Sequence, residues 1–378
     1  MRSIAIAIRR SRIRASTRAP AALAAAWVAM AALAALALAG CGGATTDDGA
    51  SASAQGTPAA DAAQDAARAQ ATALRPAPAS SRRVSAWRRE GAVAMAVSAD
   101  GLVAVADQDG SLRLLDARSG APLRELAARG AQEPAGVTFL HAGARVAVVR
   151  RDSTAQLWDT ASGALLATLR GPEHPPRAIA ASADGAVVAV SGEDPRVLLW
   201  DGNTGRLQGV LAGSDDFVDS LSVSADGRLV AAGNAHARVM VWDVRSRRLL
   251  ATLRGHADEV PAVAFSPSGR LLASAGRDGR LLLWNPLAPS SPLRTLVAGG
   301  PALRSAGFSA DGGLLLAGAE DGSVTAWDVA TGQQVRAWQV EHSAVNALVA
   351  DPGGRSAVFI AHANRRVASL DPATGAVR

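Results

Sequence analysis

The sequence has a single cysteine, Cys41, in 378 residues. One thiol forms no intrachain disulfide, so the fold must stand on its core alone. Lysine is absent as well: all 39 basic residues are arginine, set against 33 acids. No CxxC, GxSxG or Walker pattern occurs, and this removes the motif-level case for a redox pair, a serine hydrolase or a phosphate cradle. The six histidines (His141, His174, His236, His256, His342 and His362) show no HExxH or closely paired spacing. Asp107-Gln-Asp-Gly110 has two acids but lacks the remaining ligands of a calcium loop, so it reads as a turn. No metal, no cofactor and no catalytic residue is expected.

The net charge of +6 invites a nucleic-acid reading that its distribution removes. Arg2, Arg9, Arg10, Arg12, Arg14 and Arg18 precede Cys41 with no acid among them, so the rest of the chain carries 33 basic and 33 acidic residues. A neutral body has no overall pull toward phosphate, and no nucleic-acid partner is expected.

What is present begins with that Arg-rich segment, followed by an apolar run from Ala21 to Leu38 and then Leu38-Ala39-Gly40-Cys41. A basic segment, an apolar run and small residues together make an export signal. The last four residues resemble the lipobox of bacterial lipoprotein signal peptides. That resemblance implies cleavage before Cys41 and acylation of its sulfur, which anchors the chain to a membrane. It also implies an outer-membrane address, because Gly42 stands where an Asp retains such proteins at the inner membrane. The second reading is an uncleaved signal anchor, since eighteen apolar residues fall within spanning length. Either way the positive flank stays in the cytoplasm and the body is exported. From Gly42 to Arg83 the composition turns to Ala, Ser, Thr, Pro, Gly and Gln, with little to bury; this predicts a disordered tether. The expected organisation is a signal peptide over 1–40, a lipidated N-terminus and tether over 41–83, and a body over 84–378.

The body repeats. Asp or Asn recurs at Asp116, Asp159, Asp201, Asp243, Asn285, Asp328 and Asp371, at intervals of 42 or 43 residues. Trp158, Trp200, Trp242, Trp284 and Trp327 precede five of them, with Leu115 and Leu370 in the outer two. Upstream of each lies a Ser-Ala-Asp-Gly or related turn, and Val- and Leu-rich runs such as RVLLWD lie between. Short strands punctuated by such turns are hairpins, and four fit in each unit. One such unit cannot bury its apolar face alone, whereas a radial array can. The unit Arg254–Asn285, with Gly255-His256 near its start and Trp284-Asn285 at its end, resembles a repeat of the WD-repeat β-propeller family. The likeness extends over 84–378 and implies an all-β fold: a seven-bladed propeller of four-stranded antiparallel blades, with Trp158, Trp200, Trp242 and Trp327 in blade cores. It also implies a structural tetrad at His256, Ser274, Asp278 and Trp284. Elsewhere Val105, Val148, Val190 and Ala317 fill the Ser274 position, while Asp109, Asp152, Asp194 and Asp321 keep the turn acid; apolar packing is expected to replace the polar brace there. Val84–Arg88 is expected to complete the last blade.

Functionally, the resemblance implies partners docking on the face that carries the turn acids. The candidate interface is Phe217 with Asp215, Asp216 and Asp219 around it, together with Arg151, Arg277 and Glu320. Phe217 reads equally as an exposed anchor or as a ring folded over a blade edge. The leading expectation is a membrane-anchored, extracytoplasmic scaffold for proteins, in the cell envelope and without catalysis. The alternative is an enzyme or small-ligand propeller of quinoprotein or lactonase type with its site at the central channel. The inner-strand triplets MAV, VTF, IAA, LSV, VAF, AGF and ALV argue against that channel.

Overall fold

The computed structural model describes residues 92–127, 131–170, 173–288, 291–297, 300–350, 358–362 and 367–371. Cys41, the apolar run, the tether and Val84–Arg88 lie outside the described residues. All described residues belong to the second of the two units into which the chain divides, Ser81–Arg378.

These residues form seven antiparallel sheets, each an up-and-down meander in chain order. The first holds β1 (Ala92–Val97), β2 (Leu102–Asp107), β3 (Leu112–Asp116) and β4 (Pro122–Ala127). The second holds β5 (Pro134–Leu140), β6 (Arg145–Arg150), β7 (Thr154–Asp159) and β8 (Leu165–Arg170). The third comprises β9 (Pro176–Ala181), β10 (Val187–Gly192), β11 (Asp194–Asp201) and β12 (Leu207–Leu211). Next come β13 (Val218–Val223), β14 (Leu229–Asn234), β15 (Arg238–Asp243) and β16 (Leu249–Arg254). The fifth sheet is β17 (Ala262–Phe265), β18 (Leu272–Ala275), β19 (Arg280–Trp284) and β20 (Arg294–Val297). The sixth is β21 (Leu303–Phe308), β22 (Leu314–Ala319), β23 (Ser323–Asp328) and β24 (Gln334–Gln339). The last has three strands among the described residues, β25 (Val345–Ala350), β26 (Val358–His362) and β27 (Val367–Leu370).

The middle strands of the sheets are largely buried on both faces, and β15 shows why. Its alternate residues Met240 and Trp242 pack toward the third sheet, while Val239 and Val241 pack toward the fifth. A strand's side chains alternate with a period of two, so a run apolar at every position needs a neighbour on each side. Seven apolar clusters result, each bridging two successive sheets, and the seventh joins Val367 of the last sheet to Met95 and Val103 of the first. The first strands of successive sheets lie against one another, and β25 returns to β1. This is the arrangement of a β-propeller, with the first strand of each sheet innermost.

The landmark acids close the turns between third and fourth strands. A carboxylate oxygen of Asp116, Asp159, Asp201, Asp243 or Asp328 accepts the backbone N–H three residues on, at 2.6–2.8 Å. In the turns between first and second strands, Gly101, Gly185, Gly227, Gly269 and Gly312 all take positive φ. At Gly185 a Cβ would also come within 2.8 Å of the His141 amide nitrogen, so glycine is required there twice over. Arginine side chains tie neighbouring sheets at the rim: Arg124 donates to the Ala161 and Ser162 carbonyls, and Arg294 to those of Ala330 and Thr331.

Trp242 is fully buried between two sheets. Trp242→Ala is therefore expected to lower stability by about 3–5 kcal/mol in urea unfolding. Leu123→Ala, on an exposed outer strand, should stay within about 0.5 kcal/mol. Similar losses at both positions would refute the inter-sheet core as the source of stability.

Candidate functional site

Loops entering the first strands and turns joining second to third strands meet at one end of the sheets. Backbone bonds tie them: Arg151 N–H donates to the Glu133 carbonyl, Glu193 to Pro175, Arg277 to Glu259 and Glu320 to Ala302.

In the fifth sheet this end is braced by four side chains in series. The Trp284 indole N–H donates to Ser274 Oγ at 2.8 Å, and Ser274 Oγ lies 2.8 Å from His256 Nε2. His256 Nδ1 stands 3.1 Å from Asp278 Oδ1. Trp284 offers only a donor, so the hydroxyl accepts from it and donates to Nε2, which leaves Nδ1–H to donate to the carboxylate. Asp278 also accepts the Ala257 and Arg280 amides, which stitches loop to turn. Burial pushes the His256 pKa below its ordinary value against the opposing pull of Asp278, so the ring is held neutral.

The other sheets lack Ser274's equivalent, and their tryptophans differ accordingly. Trp242 Nε1 donates to the Ala212 carbonyl at 2.8 Å and Trp327 Nε1 to Thr325 Oγ1 at 3.3 Å. The buried indole nitrogens of Trp158 and Trp200 have no partner among the described residues, and Trp158 itself is only half-buried. The sequence reading has apolar packing replace the brace in these sheets. That describes the Ser274 position, but a polar brace persists on other residues. Arg150, fully buried at the end of β6, donates to the carbonyls of Gly110 and Gln132 and to Gln156 Oε1. Asn234, at the matching place in β14, donates to Asp215 and accepts the Arg238 amide. Asp107 holds that place in β2 and pairs with Arg113. In the third sheet Arg196 joins Asp194 to Glu173. The physical reason is that loop and turn backbone groups buried at this end need partners whether or not a histidine is present. Asp109, Asp152 and Asp321 accept the N–H two residues on. In the fourth sheet His236 faces solvent, its ring nitrogens 3.7 and 3.4 Å from Asp215 and Asp216.

The first strand slips register at one residue near its start in six sheets: Val93, Ala135, Arg177, Asp219, Arg304 and Asn346. A bulge re-aims its side chain. Because the first strands are innermost, these residues stand around the inner rim, where one arc is polar and the other apolar. The inner-strand triplets begin one or two positions downstream, so reading them alone misses this arc; the 42-residue spacing of Arg177 and Asp219 was the available signal.

Phe217 is 41 % exposed, with the Arg177 guanidinium 5.6 Å from its ring centroid. Arg177 bonds Asp219 at 2.6 Å and approaches Glu193 at 3.4 Å. The Asp219 side chain is 8 % exposed, and its Oδ2 has no partner among the described residues. Burial raises its pKa, helped by Glu259 and Asp216 and opposed by Arg177. Asp216 Oδ1 accepts the Phe217 amide, and Arg238 pairs with Asp215. Arg151, Arg277 and Glu320 do not converge on Phe217; each is paired within its own sheet, to Glu133 (3.2 Å), Glu259 (2.8 Å) and Arg304 (2.7 Å). Exposed pairs of this kind contribute little to stability. They do line with hydrogen-bonding groups the same end of the sheets that carries the half-open Phe217, the composition of a protein-binding surface. Among the described residues no group of three His, Cys, Asp or Glu is placed to hold a metal.

Residues 163–201, 205–243, 247–285 and 290–328 match the model of the WD domain, G-beta repeat. These four matches support a WD-repeat family for the chain. No curated protein matches it. WD-repeat propellers generally bind proteins, and the surface around Phe217 is built from the loops that such sheets leave free.

Ser274→Ala removes the acceptor of a buried indole N–H and the partner of a buried imidazole, and is expected to cost about 1–3 kcal/mol. Because the folded pKa of His256 is depressed, the unfolded chain binds more protons below its ordinary pKa. Stability should therefore fall as pH drops below about 6.5. Replacing His256 with Asn should flatten that part of the profile; a variant with the same slope as the native chain would remove His256 as its source.

Proposed function

We propose that the chain is a membrane-anchored, extracytoplasmic seven-bladed WD-repeat propeller that serves as a protein-interaction scaffold without catalysis. The observation that carries this reading is Phe217: a half-open aromatic at the inner rim, backed by Arg177 and ringed by Asp215, Asp216 and Asp219. Aromatic and arginine anchors of this type dominate protein interfaces. The lipobox-like Leu38-Ala39-Gly40-Cys41 supports a lipid anchor at Cys41, facing the periplasm and favouring the outer membrane; a role in envelope assembly follows from that address. Two acyl chains or more hold a protein stably where one does not. Val84–Arg88 would supply the fourth strand of the last blade.

A second reading places a small ligand at the channel mouth, and the unpartnered, buried Asp219 Oδ2 beside Arg177 favours it. Such a ligand would offer a hydrogen-bond donor or a cation to that oxygen.

Cross-linked capture from intact cells, with the native chain, Cys41→Ser and Phe217→Ala in parallel, tests the scaffold. A defined envelope protein should be enriched by the native chain, and recovery should fall about tenfold or more with Phe217→Ala. Loss with Cys41→Ser supports the anchor. No enrichment with the native chain would sink the scaffold and leave the channel reading.

A further inference from the structure

Among the described carboxylates and guanidiniums, Asp107 Oδ1, Arg150 Nη2 and Asp219 Oδ2 are buried without a partner. Asp107 and Arg150 end β2 and β6, and their remaining atoms brace the turns and loops of their own end of the sheet. Asp219 differs in place. It is the bulge residue of β13, the innermost strand of the fourth sheet, so it stands at the inner rim two residues from the half-open Phe217.

A buried carboxylate oxygen with no donor is costly, and its neighbours make this one more so. Asp219 Oδ1 takes Arg177 at 2.6 Å, but Glu193 draws on the same guanidinium at 3.4 Å. Arg277 is held by Glu259 at 2.8 Å, and Arg238 is paired with Asp215. Asp216 is approached by the exposed His236 ring at 3.4 Å. Burial raises the Asp219 pKa, and Glu259 and Asp216 push the same way against Arg177. Glu193, Asp216, Asp219 and Glu259 thus stand against only Arg177 and Arg277, and the local balance is negative.

The chemistry of the missing donor follows from what the site already holds. Arg177 lies 5.6 Å from the Phe217 ring centroid and bonds Asp219 with the same guanidinium. Ring and carboxylate are therefore within reach of one side chain, and Phe217 is still 41 % exposed. A donor that reaches Oδ2 has to shed water, because the Asp219 side chain is 8 % exposed. A guanidinium is more weakly hydrated than an ammonium, stacks on an aromatic and keeps its charge.

We propose, resting on the scaffold reading, that Asp219 Oδ2 receives the guanidinium of an arginine from the partner protein, packed against the open part of Phe217. The partner therefore presents an exposed arginine on a segment able to enter the inner rim. Asp219 reads its charge, and Phe217 covers its plane and stem.

The test uses the full chain with 4-fluorophenylalanine at its five Phe positions, the Phe217 resonance being assigned through Phe217→Leu. The probe is the pentapeptide acetyl-Gly-Gly-Arg-Gly-Gly-amide, and the control carries citrulline, a neutral isostere, in place of its arginine. The arginine peptide should move the Phe217 fluorine signal saturably, with a Kd of about a millimolar. The citrulline peptide should bind about tenfold or more weakly, and so should the arginine peptide to Asp219→Asn. Phe139, Phe265 and Phe308 signals at their native positions show that this variant is folded; should it not fold, the two peptides on the native chain decide. Equal binding of the two peptides, or undiminished binding by folded Asp219→Asn, overturns the proposal. Spermidine binding more tightly than the arginine peptide also overturns it and assigns the oxygen to a small polyamine. The titration needs no natural partner, so it is read apart from the capture that tests the scaffold. A partner captured equally by the native chain and Asp219→Asn overturns the arginine contact and leaves the scaffold in place.

Discussion

Sheet-on-sheet burial is the constraint on which everything else here depends. A strand such as β15 has no face that water tolerates, with Met240 and Trp242 on one side and Val239 and Val241 on the other. A sheet made of such strands needs two neighbours, and so does each of those. A linear stack would leave two apolar faces open at its ends. Closure removes both, and the contact of Val367 with Met95 and Val103 is where it happens. The 42–43-residue period is the length of chain that one such unit consumes, which is why the repeat survives with little identity between units.

Burial fixes the middle of each sheet and leaves its ends free to vary. At the ends the requirement is only that turn and loop backbone groups find partners. The fifth sheet meets it with His256, Ser274, Asp278 and Trp284, the second with Arg150, and the fourth with Asn234 and Asp215. These solutions are chemically unrelated but occupy corresponding places. The sheets are therefore interchangeable in their cores and individual at their ends, so specific recognition has to come from the ends.

The same division explains what was legible in the sequence. Periodic Trp and Asp, alternating apolar runs and Asp-Gly turns report the core and the tight turns, and those features are regular because packing makes them so. The series His256–Ser274–Asp278–Trp284 was visible because it sits in a unit that resembles its family closely. The braces at Arg150 and Asn234 were not visible: each is a single polar residue inside an apolar run, and the loop groups it holds lie 18–40 residues away. The polar arc at Arg177, Asp219 and Arg304 was hidden for another reason. A bulge moves a residue out of the alternation from which strand facing is inferred, so position in the run no longer tells which way the side chain is aimed.

The two ends of the sheets also differ in how their charges are satisfied. At the end that carries Phe217 the arginines are already matched: Arg151 with Glu133, Arg177 with Asp219, Arg277 with Glu259 and Arg304 with Glu320. A partner gains little from bare attraction there. It has to replace existing pairs with equally good ones, and that requirement selects for shape and hydrogen-bond geometry. At the other end the Arg245 and Arg248 side chains make no hydrogen bond or ion pair among the described residues, while Arg247 packs over Gly209 of the third sheet. Matched charges at the end that carries a half-open aromatic therefore suit a specific partner.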